Sequence, residues 1–395
     1  MNKRIGIVFS DFGPYHVARI EALANALKQQ GDELYAFRFF ETSSTYGWKP
    51  VVPSNTTVVT LGEKEPNGFA DAWRIASALK QQIKKSGISS IFLPSYSPMP
   101  NLLSVLAARM AGCKLVLMNE SWRLTERSSL PGKWAKHFLV RQFSAALVGG
   151  APQKQYACDY GQDPNKVFLG YDVVDTTHFS READKWKNAP PESLPVPNLP
   201  QRFFLNLGRF VEKKNIPQLI EAYASLVSKA PALAVALVLV GEGNEEKKLR
   251  ELVKKKGLAV REGLTQAAPP LPIPEVVFYP FQQVELTPVF FARSEAFILP
   301  SLYEEWGLVI NEAMASNAAV LVSKNVGCAF DLVEDGVNGF RFDPNSVADL
   351  EEKLLRFIQD PYLSERMGAE GRKMIQHWGP ERFAQGALQA LQAAG

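Results

Sequence analysis

Along the chain, short apolar runs of strand type alternate with stretches whose apolar residues recur at helical spacing. Ile5 to Phe9 reads as a buried strand, followed by the loop SDFGPYH and a helix from about Val17 to Gln29 that Gly31 closes. Leu34 to Phe40 and Thr57 to Leu61 are further strands, and Phe69 to Lys85 is a helix by its spacing of Phe69, Trp73, Ile75, Leu79 and Ile83. Ser90 to Leu93 and Leu115 to Met118 are strands around a helix at Leu102 to Met110. This alternation predicts an α/β fold with a parallel sheet covered by helices on both faces. In such sheets ligands gather at the carboxyl ends of the strands.

Arg181 to Gln201 interrupts the pattern with a polar run holding five prolines. Its portion 186–201 is read as a linker between a first domain, 1–185, and a second domain, 202–377. Beyond it the alternation restarts, with strands at Phe203 to Leu207, Val235 to Val240 and Val276 to Tyr279, and helices at Ile216 to Leu226 and after GEGN. The segment APPLPIP (Ala268 to Pro274) is a Pro-rich loop that cannot be helix. Two such domains joined by a linker imply a deep cleft, where ligands commonly bind.

One stretch stands out: PSLYEEWGLVINEAMAS, Pro300 to Ser316, follows a short apolar strand and turns helical after Gly307. If Glu304 and Glu312 were both helical, eight residues would separate them by roughly 12 Å on nearly one face. That is about the reach of a diphosphate recognised at each end. Free N–H groups around Gly307 and Leu308 would lie between them, where a helix start stabilises a polyanion. The plainer reading is a surface helix with solvated carboxylates.

Composition narrows the classes. The 395 residues are 46% hydrophobic and 22% charged, as in ordinary globular proteins. A net charge of +3 announces no nucleic-acid partner, and no basic motif interleaved with aromatics appears. Cys113, Cys158 and Cys328 are scattered and odd in number, which fits a reducing, cytoplasmic setting. The first apolar run is too short for a signal peptide, and no apolar run is long enough to span a bilayer. Peripheral membrane contact stays open. Lys133 to Ser144, KWAKHFLVRQFS, mixes bases with aromatics, but its apolar residues form no single stripe, so it reads as a packed helix with a solvated face.

In the first half four loops matter: those at Asp11 to His16, Ser95 to Ser97 and Asn119 to Trp122, and the segment after Val148. His16 is either a helix-start side chain satisfied by backbone or a contact to an acceptor or sugar hydroxyl, with Arg19 one turn further on. Glu120 directly follows a buried strand, a costly place for a carboxylate that is neither paired nor used.

Several motifs taken together resemble a known family. Arg209 to Asn215 in LGRFVEKKN, Gly241 to Gly243, the E-x7-E run EEWGLVINEAM, the run VEDGVNGFRFDP and the earlier YDVVDTTHF look like the retaining glycosyltransferases of family 4 (glycosyl transferases group 1). That resemblance implies a GT-B fold, two Rossmann-like doubly wound domains facing a central cleft, with the end of the chain, 378–395, crossing back onto the first domain. The implied activity is hexosyl transfer from a UDP-, GDP- or ADP-linked sugar to a sugar or glycolipid hydroxyl. It proceeds by front-face transfer with retention and needs neither cofactor nor metal. Arg209 and Lys214 would converge on the diphosphate, with Gly208 and Gly241 admitting close backbone approach. Glu312 would bind the ribose and Glu304 the donor sugar, the backbone of Trp306, Gly307 and Leu308 would hold sugar and phosphate, and Tyr279 or Phe281 would stack on the base. Across the cleft, His16 and Glu120 are the candidates for catalytic contact, and Tyr15, Arg19, Ser95 and Tyr96 for acceptor binding.

The sequence departs from the common pattern at Glu305, Trp306, Asn317 and Ala319, and in the first loop, DFGPYHVAR. Asn tolerates a left-handed backbone, so Asn317 can close its helix as Gly would. Two rivals stand beside the enzyme: a catalytically silent module that binds a nucleotide sugar and regulates or scaffolds a pathway, and an NAD-dependent oxidoreductase. The second is weak, because no G-x-G-x-x-G spacing occurs.

Overall fold

A computed structural model describes residues 2–41, 47, 49, 51–127, 129–229, 235–264 and 274–395. The chain divides into two compact units, Met1–Asp175 with Trp378–Gly395, and Thr176–His377. Each holds a seven-stranded, all-parallel sheet.

The first unit runs β1 (Arg4–Phe9), α1 (Pro14–Gln29), β2 (Glu33–Arg38), β3 (Thr57–Thr60), α2 (Phe69–Ser86) and β4 (Ser90–Pro94). It continues with α3 (Met99–Met110), β5 (Lys114–Asn119), α4 (Leu130–Val140), β6 (Ala145–Val148), α5 (Ala151–Asp159) and β7 (Val167–Leu169). The strand order is β3-β2-β1-β4-β5-β6-β7. Alternation along β1 sorts the core. Ile5, Ile7 and Phe9 face α1, where they meet Val17, Ile20 and Leu23. Val8 faces the opposite layer with Ile75 and Leu79 of α2 and Val105 of α3.

The second unit runs α6 (Thr176–Lys187), β8 (Phe203–Leu207), α7 (Ile216–Lys229), β9 (Ala236–Val240), α8 (Glu246–Lys255), β10 (Ala259–Glu262) and β11 (Glu275–Tyr279). Then come α9 (Thr287–Arg293), β12 (Ala296–Leu299), α10 (Leu308–Ala315), β13 (Val320–Ser323), α11 (Ala329–Leu332) and β14 (Gly339–Phe342). Helices α12 (Val347–Gln359) and α13 (Leu363–Ile375) close the unit, whose sheet order is β10-β11-β9-β8-β12-β13-β14. Strand order reverses at β1 in one sheet and at β8 in the other. The crevices at the carboxyl ends of β1 and β4, and of β8 and β12, are therefore the places where doubly wound folds bind ligands. Asn317 takes φ 61° after α10, the left-handed closure expected of it.

Three expectations change. The division between units falls after Asp175, ahead of the Pro-rich run, because α6 occupies part of that run and packs on α9 and α10. Ser180 donates to the Ala315 carbonyl (2.9 Å), and Arg293 donates to the Lys187 and Ala189 carbonyls (2.7 and 3.2 Å). Helix α1 starts at Pro14, so His16 lies in its first turn rather than in the loop. On α4 the apolar residues do form a stripe: Leu130, Trp134 and Phe138, four residues apart, are 76, 78 and 67% exposed. The Pro-rich loop 268–274 lies, Pro274 apart, outside the described residues. Among the described residues no helix is long and apolar enough to cross a membrane.

The last helix, α14 (Pro380–Ala394), belongs to the first unit and packs on α1, β6 and β7. A Cβ on Gly386 would stand 2.4 Å from the Leu169 carbonyl oxygen, so helix and sheet edge approach as only glycine permits. Phe383 is fully buried among Ile7, Val116 and Tyr171. Phe383→Ala should cost the first unit about 3–5 kcal/mol in chemical denaturation, since the hole left by a core Phe cannot close.

Candidate active site

In the second unit the site is built at the ends of β8 and β12. After β8 the chain passes Gly208 (φ 155°) and exposed Arg209, then makes a tight turn at Glu212–Lys214 that Asn215 ends with φ 54°. The Asn215 amide donates to the carbonyls of Pro300 (3.2 Å) and Pro344 (2.8 Å), and Leu302 N–H donates to the Lys213 carbonyl (2.8 Å). The loops after β8 and β12 are thus tied to each other.

Glu304 sits where they meet. Its backbone forms a bridge with Val326, so it precedes α10 rather than lying in it, and the helical spacing to Glu312 does not apply. Its carboxylate, almost wholly buried, pairs with Lys214 Nζ (2.6 Å) and Lys213 Nζ (3.1 Å) and accepts from Ser301 Oγ (2.9 Å). Burial alone would raise its pKa, but Lys214 and Lys213 outweigh burial and hold it below the usual carboxylate range. Burial likewise opposes the charge of Lys213, and Glu304 with Glu305 overcomes that and raises its pKa. The Lys213 ammonium also reaches Glu305 (3.3 Å).

From here the chain turns into α10 through Gly307, whose φ of 100° suits glycine and whose Cβ would press on Val326 at 2.8 Å. The Trp306 side chain is buried, its indole N–H donating to Asn311 Oδ1 (3.0 Å), so only its backbone is placed to meet a ligand. Leu308 begins the helix, whose first N–H groups have no intrahelical acceptor. Glu312 is buried one turn further on. Gly241 forms the adjoining wall, where a Cβ would stand 2.0 Å from the Gly208 carbonyl oxygen.

Two expectations for this half change. Tyr279 points into the core: its ring packs edge-on against Phe290 and its hydroxyl donates to the Pro197 carbonyl (2.8 Å), so it cannot stack on a base. Half-buried Phe281 stays at the surface, its N–H donating to Glu242 (3.3 Å). Lys214, expected to face a phosphate, shares Glu304 with Lys213, which the sequence reading passed over. The signal was there in EKKN, since adjacent lysines on so tight a turn can both reach one neighbour.

In the first unit, the loops after β1, β4 and β5 enclose a cavity of about 740 Å³. Asp11, His16, Ser95, Asn119 and Glu120 line it, with Glu65, Phe69 and Met99 also in its wall. Among the described residues no Lys or Arg lines it. Burial, with the Glu65 charge added, holds Asp11 above the usual carboxylate range against a hydrogen bond from its own backbone. His16 stacks on Phe9 (4.4 Å), and its Nδ1 accepts from the Gly13 N–H (3.2 Å). Burial and the Arg19 charge push the imidazole down to about 3, so at neutral pH its proton is on Nε2. In that state Nδ1 is occupied by the Gly13 N–H and the ring N–H is held by the Asp11 backbone, so the imidazole cannot take a hydroxyl's proton.

Arg19 and Tyr96 do not join this cavity. Arg19 is buried beneath it, paired with Asp172 (3.6 Å), donating to the Val173 carbonyl (3.3 Å) and lying over the Tyr171 ring. Tyr96 packs in the core with Tyr156 and Tyr160, where burial raises its phenol pKa. Tyr15 is half-buried in the first turn of α1. Asp11 and Asn119 are lining residues that the sequence reading placed in the right loops without singling them out.

Comparison with known proteins fits this geometry. Residues 194–374 match the family model described as Glycosyl transferases group 1. The chain is also similar to the alpha-D-kanosaminyltransferase of Streptomyces kanamyceticus, 28% identical over 66% of each chain. A D-inositol 3-phosphate glycosyltransferase of Streptomyces avermitilis is 32% identical over 69% of this chain and 62% of its own. Among the leading curated relatives the matched region spans between 40 and 66% of their length. Two solved structures share the whole fold. Sucrose-phosphate synthase from Thermosynechococcus elongatus has a TM-score of 0.72 at 17% identity, covering 99% of this chain and 98% of that one. The Anabaena protein HepE in complex with UDP and glucose gives 0.70 at 18%, covering 99 and 100%. The fold is therefore GT-B type, two Rossmann-like domains of seven strands each.

The ion triad supplies a pH test. Glu304 has a depressed folded-state pKa, so its contribution is present above its unfolded value, near 4.5, and is lost as pH falls through the folded value. Glu304→Gln should cost of order 1–3 kcal/mol at neutral pH. The gap between wild type and variant in urea unfolding should shrink as pH drops below about 4.5.

Proposed function

We propose that this protein is a retaining glycosyltransferase of family 4 that moves a hexosyl group from a nucleotide-diphosphate donor to an acceptor hydroxyl without a metal. The observation that carries the reading is Glu304 clamped by Lys213 and Lys214 at the switch point of the second sheet, beside Gly208 and Arg209. Arg209 and one of the lysines meet the diphosphate, and the other keeps Glu304 ionised and aimed at the donor sugar's hydroxyls. Glu312 takes the ribose.

As the bond from the anomeric carbon to the phosphate oxygen breaks, negative charge grows on the leaving group, where these cations are already fixed. The acceptor oxygen bonds to the same face of the carbon, and its proton passes to a leaving phosphate oxygen. No separate base is needed, which accords with His16 having no free lone pair.

The cavity of the first unit is the acceptor's place in this reading. Three carboxylates, a neutral imidazole and no cation among the described lining residues favour an uncharged or amine-bearing acceptor over a phosphorylated one. That separates this chain from relatives named for inositol 3-phosphate. Its three free cysteines agree with a cytoplasmic setting.

A thermal-shift screen against UDP, GDP and ADP tests the donor site. One of them at a hundredfold excess over its Kd should add about 2.7 kcal/mol to the second unit, a rise of several degrees. Arg209→Ala should lose most of that shift. Glu304→Ala should keep it while abolishing transfer to neutral glycosides. No shift with any nucleotide would sink the reading, and a shift without transfer to any acceptor in a cell extract would favour a silent binding module.

A further inference from the structure

Helix α4 presents a face that the transfer reaction does not use. Leu130, Trp134 and Phe138 form a ridge about 12 Å long, each more than two thirds exposed. The opposite face is anchored. Val140 is buried, and Lys136 Nζ bonds Glu126 (2.8 Å) and the Tyr156 hydroxyl (2.5 Å) while lying over the rings of Tyr156 and Tyr160. Ser129 caps the helix start by accepting from the Gly132 N–H (3.4 Å). The helix is thus fixed with its largest apolar side chains in water, an unfavourable state unless something covers them.

The charge around the ridge identifies the cover. Residues 123–141 contain Arg123, Arg127, Lys133, Lys136 and Arg141, and Glu126 is their one carboxylate. Glu126 is spent inward, accepting from Lys136, Tyr156 (3.1 Å) and Tyr160 (2.6 Å) as well as pairing with Lys133 at 3.7 Å. Arg123 and Arg141 are exposed.

We infer that this face of α4 is a docking site for an anionic lipid bilayer, with Leu130, Trp134 and Phe138 entering the boundary between headgroups and acyl chains. Arg123, Lys133 and Arg141 meet the headgroup charge. Large apolar residues flanked by cations are the composition of helices that lie in a membrane interface. The cores of protein interfaces are instead depleted in charge, lysine above all. A two-fold contact between copies would set these cations against their own counterparts.

The test is sedimentation of the full chain with vesicles of phosphatidylcholine alone or mixed three to one with phosphatidylglycerol. The mixed vesicles should bind at least roughly tenfold more strongly, and high salt should remove most of the difference. Tryptophan emission should shift to the blue on binding, and Trp134→Ser should lose that shift. A triple Leu130→Ser, Trp134→Ser, Phe138→Ser variant should lose binding at least about tenfold with its melting temperature little changed, because all three side chains are mostly exposed. Lys133→Glu with Arg141→Glu should erase the preference for anionic vesicles. Absence of wild-type binding would overturn the inference, as would full binding by the triple variant or equal binding to both vesicles. A wild-type dimer that the triple variant dissociates, without vesicle binding, would assign the face to a second copy. None of these readouts depends on sugar transfer.

Discussion

The Glu304 carboxylate, enclosed by two ammonium groups and a serine hydroxyl, is the contact on which the second unit's site depends. Burying a carboxylate is expensive, and this one is stable only because Lys213, Lys214 and Ser301 replace its water. The same contacts fix the lysines. Lys213 would lose charge on burial, and it keeps its proton because Glu304 and Glu305 face it. Two cations share one almost fully buried anion, and Arg209 stands exposed at the neighbouring strand end. Such an arrangement attracts an anion without waiting for side chains to reorganise.

The first unit has the opposite electrostatics. Its cavity gathers Asp11, Glu65 and Glu120, and the Arg19 guanidinium is outside its lining, buried and paired with Asp172. Asp11 is held above its usual range by burial, with the Glu65 charge adding to it. Fold symmetry between the units therefore does not extend to their chemistry. The strand ends occupy matching positions, and the loops give them different charge.

Much of this was legible in the sequence, for a physical reason. Parallel strands buried on both faces read as continuous apolar runs, so Ile5 to Phe9, Phe203 to Leu207 and Val235 to Val240 announce themselves. Long-range pairing was not legible. Nothing near Arg19 reveals Asp172, and only the folded chain shows that an arginine near the start of α1 has a buried partner. Tyr279 was misread because its place at the end of a strand does not say which way its ring turns. Helix α6 hid in a polar, Pro-rich stretch because it buries only Thr176, Phe179 and Ala183. Within Lys133 to Ser144 alone the α4 stripe does not show. The helix begins at Leu130, and that one residue turns two scattered aromatics into a ridge.

The difference between the legible and illegible parts follows from how each wall is made. The second unit's site is walled by backbone. A Cβ at Gly241 would meet the Gly208 carbonyl at 2.0 Å, and one at Gly243 would meet the Phe210 carbonyl at 2.2 Å. Such approaches demand glycine at fixed positions, and the demand is visible as a motif. Trp306 follows the same logic, since its indole is tied to Asn311 and the next residue must then turn through φ 100°. The first unit's cavity is walled by side chains on several separate loops, and their identities can change without disturbing the sheet beneath them. A site made of backbone leaves a signature in sequence. One made of side chains on loops leaves only candidates, and its chemistry becomes readable once folding has shown which charges face each other.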